Sequence, residues 1–204
     1  MRALLLVDLQ YDFMPGGALA VREGDATVAV ATSLLPRFER VFATQDWHPE
    51  NHGSFASNHP GHSPGECIEL HGLSQVLWPA HCVQGTHGAE LHADLDPTRL
   101  DAVVAKGTDP AIDSYSGFFD NGQRKATDLD AVLRGHGVDA LVILGLATDY
   151  CVKFTVLDAC RLGYRVRVVE EGCRAVDLRA GDGDRAYEQM REAGAHVVRA
   201  SELG

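Results

Sequence analysis

Short, continuous apolar runs alternate along this chain with segments whose apolar positions recur every three or four residues. "ALLLV" at 3–7, "RVFATQD" at 40–46, "AVVAK" at 102–106, "ALVILG" at 140–145, "YRVRVVE" at 164–170 and "HVV" at 196–198 read as strands. Between them, 27–35 reads as a helix started near Asp25, 127–137 as a helix ending at Gly137, and 184–194 as a third. From Cys151, apolar Val152, Val156, Ala159 and Cys160 share one helical face, with Gly163 as the stop. Strands that alternate with helices predict an α/β fold: a mostly parallel sheet of about six strands with helices on both faces.

One stretch breaks the rhythm. From 47 to about 99 the chain is rich in Gly, Pro, Ser and His and shows neither period. Repeats, low-complexity tracts and linker-like stretches are absent, so residues 1–204 read as a single domain with 47–99 as an irregular insertion. A loop that long in a compact domain is usually functional.

Composition narrows the field. Apolar residues make up 45% and charged residues 23% of 204, an ordinary balance for one domain with a sizeable core. A net charge of −11 with no basic stripe disfavours nucleic acid and anionic membrane as partners. The apolar run in "MRALLLVDLQ" is too short for a signal peptide or a membrane span. Five cysteines without CxxC spacing argue against a disulfide framework and for a reducing cytoplasm.

In open parallel sheets, ligands bind beyond the carboxyl ends of the strands. Asp8, Asp46 and Lys106 stand at three such ends, and Cys151 follows a fourth, where a helix opens. For any one of them alone a cap or turn residue is the favoured reading; four together at one edge suggest chemistry. The helix dipole favours thiolate at Cys151. Asp8 is the natural proton acceptor, and Lys106 can hold its carboxylate ionised. Cys160 and Cys173 read as buried structural cysteines; Cys67 and Cys82 have no assigned role.

Eight of the ten histidines lie between 48 and 92. Asp46 and His48, two apart on an extended segment, point to the same side and can share a cation. "WPAHCVQGTHGAELH" offers His81, His87 and His92 as further ligands. Two histidines and a carboxylate leave positions open on a metal, as catalytic sites require. His52, His59, His62, His71, His136 and His196 read as solvated surface residues.

Five motifs, "VDLQYDFMPGGAL", "TQDWHPENHGSF", "WPAHCVQGTHGAELH", "KGTDPAIDSYSGFFDN" and "GLATDYCVKFTVLDA", in this order and over almost the whole chain, closely resemble the nicotinamidases, a family of isochorismatase-like hydrolases. The resemblance implies an Asp8, Lys106 and Cys151 triad. It also implies one divalent metal on Asp46, His48 and His81, with zinc first and iron or manganese as alternatives. Ser54 can hold a water in the metal's shell. A cis peptide between Leu146 and Ala147 would turn the Ala147 N–H, with that of Cys151, into an oxyanion hole. Phe13, Trp78 and Tyr115 become the walls around a flat ring.

The implied reaction is hydrolysis of nicotinamide to nicotinate and ammonia through a thioester, in NAD salvage, with pyrazinamide also accepted. The small-molecule substrate is the expected partner, alongside a homo-oligomeric state. Three alternatives stand beside it: an amidase of the same superfamily acting on a ureido or carbamoyl compound, a thiol redox protein using Cys151, and a silent binding module. Metal ligands and aromatic walls disfavour the first, the lack of a resolving cysteine nearby the second, and an intact triad the third.

Overall fold

The structure is a computed structural model describing residues 1–203. These form, in chain order, β1 (Arg2–Val7), α1 (Gly24–Leu34), β2 (Val41–Asp46), β3 (Cys67–Leu70), β4 (Leu73–Val76), β5 (Ala102–Lys106), α2 (Leu129–Gly135), β6 (Ala140–Leu146), α3 (Lys153–Arg161), β7 (Arg165–Arg174), α4 (Asp182–Glu192) and β8 (His196–Val198). Six strands make one parallel sheet in the order β5-β2-β1-β6-β7-β8. Its centre is the most apolar part of the chain: Ala3 to Val7 and all of β6 are buried, as strands covered on both faces must be.

The connections explain why helices lie on both faces. From β1 the chain passes through α1 to β2 on one side; from β6 it passes through α3 to β7 on the other. Right-handed crossovers taken in opposite directions put their helices on opposite faces. The direction reverses between β1 and β6, which pair directly. A crevice opens there, beyond the carboxyl ends of both strands. Asp8 follows β1 and the Cys151 turn follows β6, so both stand at this crevice. Close approach of the two strands demands Gly145: a Cβ there would lie 2.1 Å from the Val7 carbonyl oxygen.

The structure departs from the sequence reading in three elements. The stretch 47–99 contains a two-stranded antiparallel hairpin, β3 and β4, that is absent from the expected elements. Its residues are mostly exposed or half-buried, so no apolar period marks it. Helix α1 begins one turn early, at Gly24 behind a left-handed Glu23 (φ 55°), which places Asp25 inside the first turn rather than at the cap. The expected helix at Cys151 opens instead with a π-helical turn, Thr148–Val152, in which the Ala147 carbonyl takes the N–H of Val152 five residues on; α3 starts only at Lys153. Turns of this kind are frequent at functional sites. Among the described residues, no helix is long and apolar enough to cross a membrane.

Candidate active site

Lys106 is fully buried at the end of β5, and its ammonium organises the crevice. It lies 2.6 Å from Asp46 Oδ1, 2.9 Å from Asp8 Oδ2, 2.9 Å from the Ser114 carbonyl oxygen and 3.3 Å from Cys151 Sγ. Neither a cap nor a solvated lysine makes such contacts. Burial works against the charge on Lys106, but Asp46 and Asp8 outweigh it and raise the ammonium well above its ordinary value. Lys106 thus remains a fixed cation between two carboxylates and a thiol.

Asp8 sits in a left-handed conformation (φ 51°), which bends the chain sharply out of β1. Thr44 donates its hydroxyl to Asp8 Oδ1 at 2.6 Å. The other Asp8 oxygen, Oδ2, faces the Lys106 ammonium at 2.9 Å, which holds it at the crevice. One Asp8 carboxylate oxygen lies within 4.8 Å of Cys151 Sγ. Burial pushes the Asp8 carboxyl above its ordinary value despite Lys106.

The thiol differs from the sequence expectation. Burial pushes Cys151 well above the ordinary thiol value, although Lys106 pulls the other way. The helix-start argument considered only the local dipole, and enclosure in the crevice overrides it. Enclosure thus favours the neutral thiol over the thiolate. Iodoacetamide labelling of Cys151 in the metal-free protein is therefore expected to keep rising with pH past the ordinary thiol range. A labelling midpoint at or below about 8.5, the free-thiol value, would refute this assignment.

Beside Asp8, Lys106 and Cys151, the residues Asp46, His48 and His81 bring one donor atom each into a single cluster. His48 Nδ1 donates to the Gly107 carbonyl at 2.8 Å, and His81 Nδ1 to the Pro79 carbonyl at 2.8 Å. Both partners are pure acceptors, so each Nδ1 carries the proton and each Nε2 faces the cluster. His48 Nε2 is 3.6 Å from Asp46 Oδ1, and His81 Nε2 is 3.9 Å from Asp46 Oδ2. These distances are too long for hydrogen bonds and close to the separation of about 3–3.5 Å between donors sharing one ion at 2.0–2.2 Å. Gly107 is in the left-handed region (φ 63°), and a Cβ there would strike the His48 ring at 2.3 Å.

The electrostatics favour a cation. Burial opposes ionisation of Asp46, but Lys106 and His48 hold its carboxyl far below the usual carboxylate range. Burial and the neighbouring His48 push His81 down to about 4, leaving its imidazole neutral. Burial disfavours a charged His48, but Asp46 more than offsets it and raises its value. Proton and metal compete for the same negative pocket, and the donor set of two imidazoles and a carboxylate fits a divalent ion.

Of the histidines expected at the surface, His62, His71 and His196 are exposed and one departs. His52, expected at the surface, is fully buried: its ring lies 4.4 Å from that of His48, and its Nδ1 bonds the buried Ser54 hydroxyl at 2.7 Å. The short loop "PENHGS" folds back against the candidate metal ligand His48, which a polar composition cannot reveal. The His87 and His92 rings pack at a tilt against Tyr11, outside the cluster.

Phe13, Trp78 and Tyr115 line one cavity with Cys151, Ala147 and the three metal-ligand candidates. Tyr115 receives hydrogen bonds from Trp78 Nε1 (3.2 Å) and Gln75 Nε2 (3.1 Å), which fix the two rings. The Leu146–Ala147 peptide is cis. Sequence reasoning missed Leu19, Asp113, Tyr150 and Val176 in the same lining. It also missed Gln10, whose buried amide donates to the Asp46 carbonyl and accepts the Asp46 N–H, both at 2.8 Å. The signal was a polar Gln three residues after a buried strand, two beyond Asp8.

Residues 2–202 match the family described as Isochorismatase domain. The nicotinamidase of Escherichia coli K12 is 57% identical over 198 residues, covering 95% of this chain and 92% of that protein. The structure of an Acinetobacter baumannii nicotinamidase/pyrazinamidase superposes with a TM-score of 0.95 at 43% identity, covering 100% of this chain and 98% of the other. The pyrazinamidase of Pyrococcus horikoshii, solved in complex with zinc, superposes with a TM-score of 0.79 at 38% identity, covering 97% and 98%. With the crevice, the cluster and this likeness agreeing over nearly the whole length, the chain belongs to the isochorismatase family and groups within it with the nicotinamidases.

Proposed function

We infer that the protein hydrolyses nicotinamide to nicotinate and ammonia, and accepts pyrazinamide, through a thioester on Cys151. The observation that carries this reading is the contact of one buried lysine with Asp8, Asp46 and Cys151, which joins a nucleophile to a metal-ligand cluster in a single cavity.

Asp8, Lys106 and Cys151 act together in this reading. The amide enters with its ring between Phe13, Trp78 and Tyr115. Asp8 Oδ2 takes the thiol proton as sulfur attacks the amide carbon. Lys106 stabilises the thiolate while it exists and keeps Asp8 oriented. The N–H groups of Ala147 and Cys151 receive the developing oxyanion. The C–N bond breaks, and the proton on Asp8 leaves with ammonia. Asp8, again ionised, takes a proton from water as the water oxygen attacks the thioester; nicotinate departs and the thiol is restored.

Asp46, His48 and His81 would hold a divalent ion, which when bound would offer a coordination position to a ring nitrogen. Zinc is the first assignment, supported by the zinc on the Pyrococcus relative; iron and manganese suit the same donors. Ser54, whose hydroxyl bonds His52 Nδ1 at 2.7 Å, would hold a water in the metal's shell. Residues 47–99 serve as the metal-binding insertion of a single domain. The setting is cytoplasmic NAD salvage, in a homo-oligomer. A ureido or carbamoyl substrate is disfavoured, because it has no ring for the aromatic walls or the metal to hold.

Ammonia release from nicotinamide, together with elemental analysis, tests the reading. His48→Ala and His81→Ala are expected to lose bound metal, whereas His136→Ala and His196→Ala keep it. Equal metal content in all four variants would dismiss the site.

A further inference from the structure

Asp12 is a carboxylate outside the cavity lining, with no part in the scheme above. Its Oδ2 accepts the backbone N–H of Cys82 at 2.7 Å, and its Oδ1 accepts that of Ala18 at 3.1 Å. Cys82 directly follows the metal-ligand candidate His81. It is fully buried and left-handed (φ 46°), a conformation that a non-glycine residue keeps only when its surroundings hold it there. The Cys82 carbonyl in turn accepts the backbone N–H of His48 at 3.0 Å. One residue, Cys82, therefore links Asp12 through its N–H to the peptide it shares with His81 and through its carbonyl to His48.

A second observation points to the same carboxylate. Gly88 packs directly on it: a Cβ at this position would lie 2.2 Å from Asp12 Oδ2 and 2.3 Å from Oδ1. The Gly88 backbone is not left-handed, so its own conformation does not require glycine. The space is required by the seat of the Asp12 carboxylate. The Ala18 bond also ties this residue to the loop that carries Leu19 to the cavity wall.

We propose that Asp12 is a positioning residue that latches the Cys82 peptide and so sets the spacing of His48 and His81, and that Gly88 is glycine to leave room for the latch. The inference rests on the metal site proposed above and adds a device that tunes its affinity. Partners lying outside a metal's own ligands commonly change affinity by about 10–100-fold when removed.

Zinc dissociation constants, measured by competition with a chromophoric chelator on protein verified as folded by circular dichroism, test it. Asp12→Ala and Gly88→Ala are each expected to weaken zinc binding by about 10–100-fold. Asp12→Asn, which retains one carbonyl acceptor, should fall between Asp12→Ala and wild type, and it carries the test if Asp12→Ala does not fold. The double variant should bind zinc no more weakly than Asp12→Ala alone, because the added methyl then has no carboxylate to displace. Affinity within about twofold of wild type in Asp12→Ala, or in Asp12→Asn where Asp12→Ala does not fold, would overturn the latch. So would multiplying effects in the double variant. Failure of the wild-type protein itself to bind zinc would instead sink the metal site on which the latch rests.

Discussion

Cys151→Ala lowers nicotinamide turnover on the order of 10⁴-fold or more, the scale seen when a covalent nucleophile is removed, while metal content stays at the wild-type level. The second half of the expectation follows from geometry. Cys151 touches Lys106 but is not one of the three clustered donors, so deletion of its sulfur leaves Asp46, His48 and His81 in place. Alanine also removes an enclosed thiol that burial keeps neutral, so no buried charge is orphaned. Turnover by ammonia release and metal by elemental analysis decide the matter. Near-normal turnover would end the thioester mechanism. Lost activity accompanied by lost metal would show that Cys151 supports the metal site and leave its role as nucleophile unsupported. Mass spectrometry of wild-type protein quenched during turnover should find a nicotinoyl adduct on Cys151.

The amide series gives the other large effect. Nicotinamide is expected to be hydrolysed most efficiently, pyrazinamide next, and benzamide on the order of 100-fold less well or worse. Benzamide has the same outline and the same amide, so Phe13, Trp78 and Tyr115 receive it equally. It lacks the ring nitrogen, and its amide is less firmly aimed at Cys151; a misplacement of about 1 Å can cost about 100-fold in rate. Pyrazinamide keeps a nitrogen in the required position but is a weaker base. Stripping the metal should bring nicotinamide down toward benzamide. Equal kcat/KM for benzamide and nicotinamide would remove the metal from substrate placement and restore the general-amidase alternative.

Much of this architecture was legible in one dimension because parallel sheets convert sequence into position. A continuous apolar run such as Leu4–Leu6 or Val142–Leu144 must be buried on both faces. The polar residue that ends it then stands at the same edge as its counterparts, which is why Asp8, Asp46 and Lys106 could be singled out before any contact was known. The five motifs supplied the assignment of roles and the choice of His81 over His87 and His92, which periodicity could not make. The β3–β4 hairpin escaped because half-exposed strands carry no apolar signature.

Contacts between distant segments lay beyond such reasoning. The bonds from Gln10 to Asp46 and from Asp12 to Cys82 span 36 and 70 residues. No local period records them, because each depends on which strands become neighbours at the switch between β1 and β6. His52 looked like one more polar loop residue until the loop folded beneath His48. The thiol shows the difference most directly. Its place before a helix argues for a low pKa, whereas its enclosure raises it, and enclosure is a property of every element around the crevice at once. Local pattern establishes which residues lie at the edge; the long-range packing of that edge sets their protonation, their spacing and the ion they can hold.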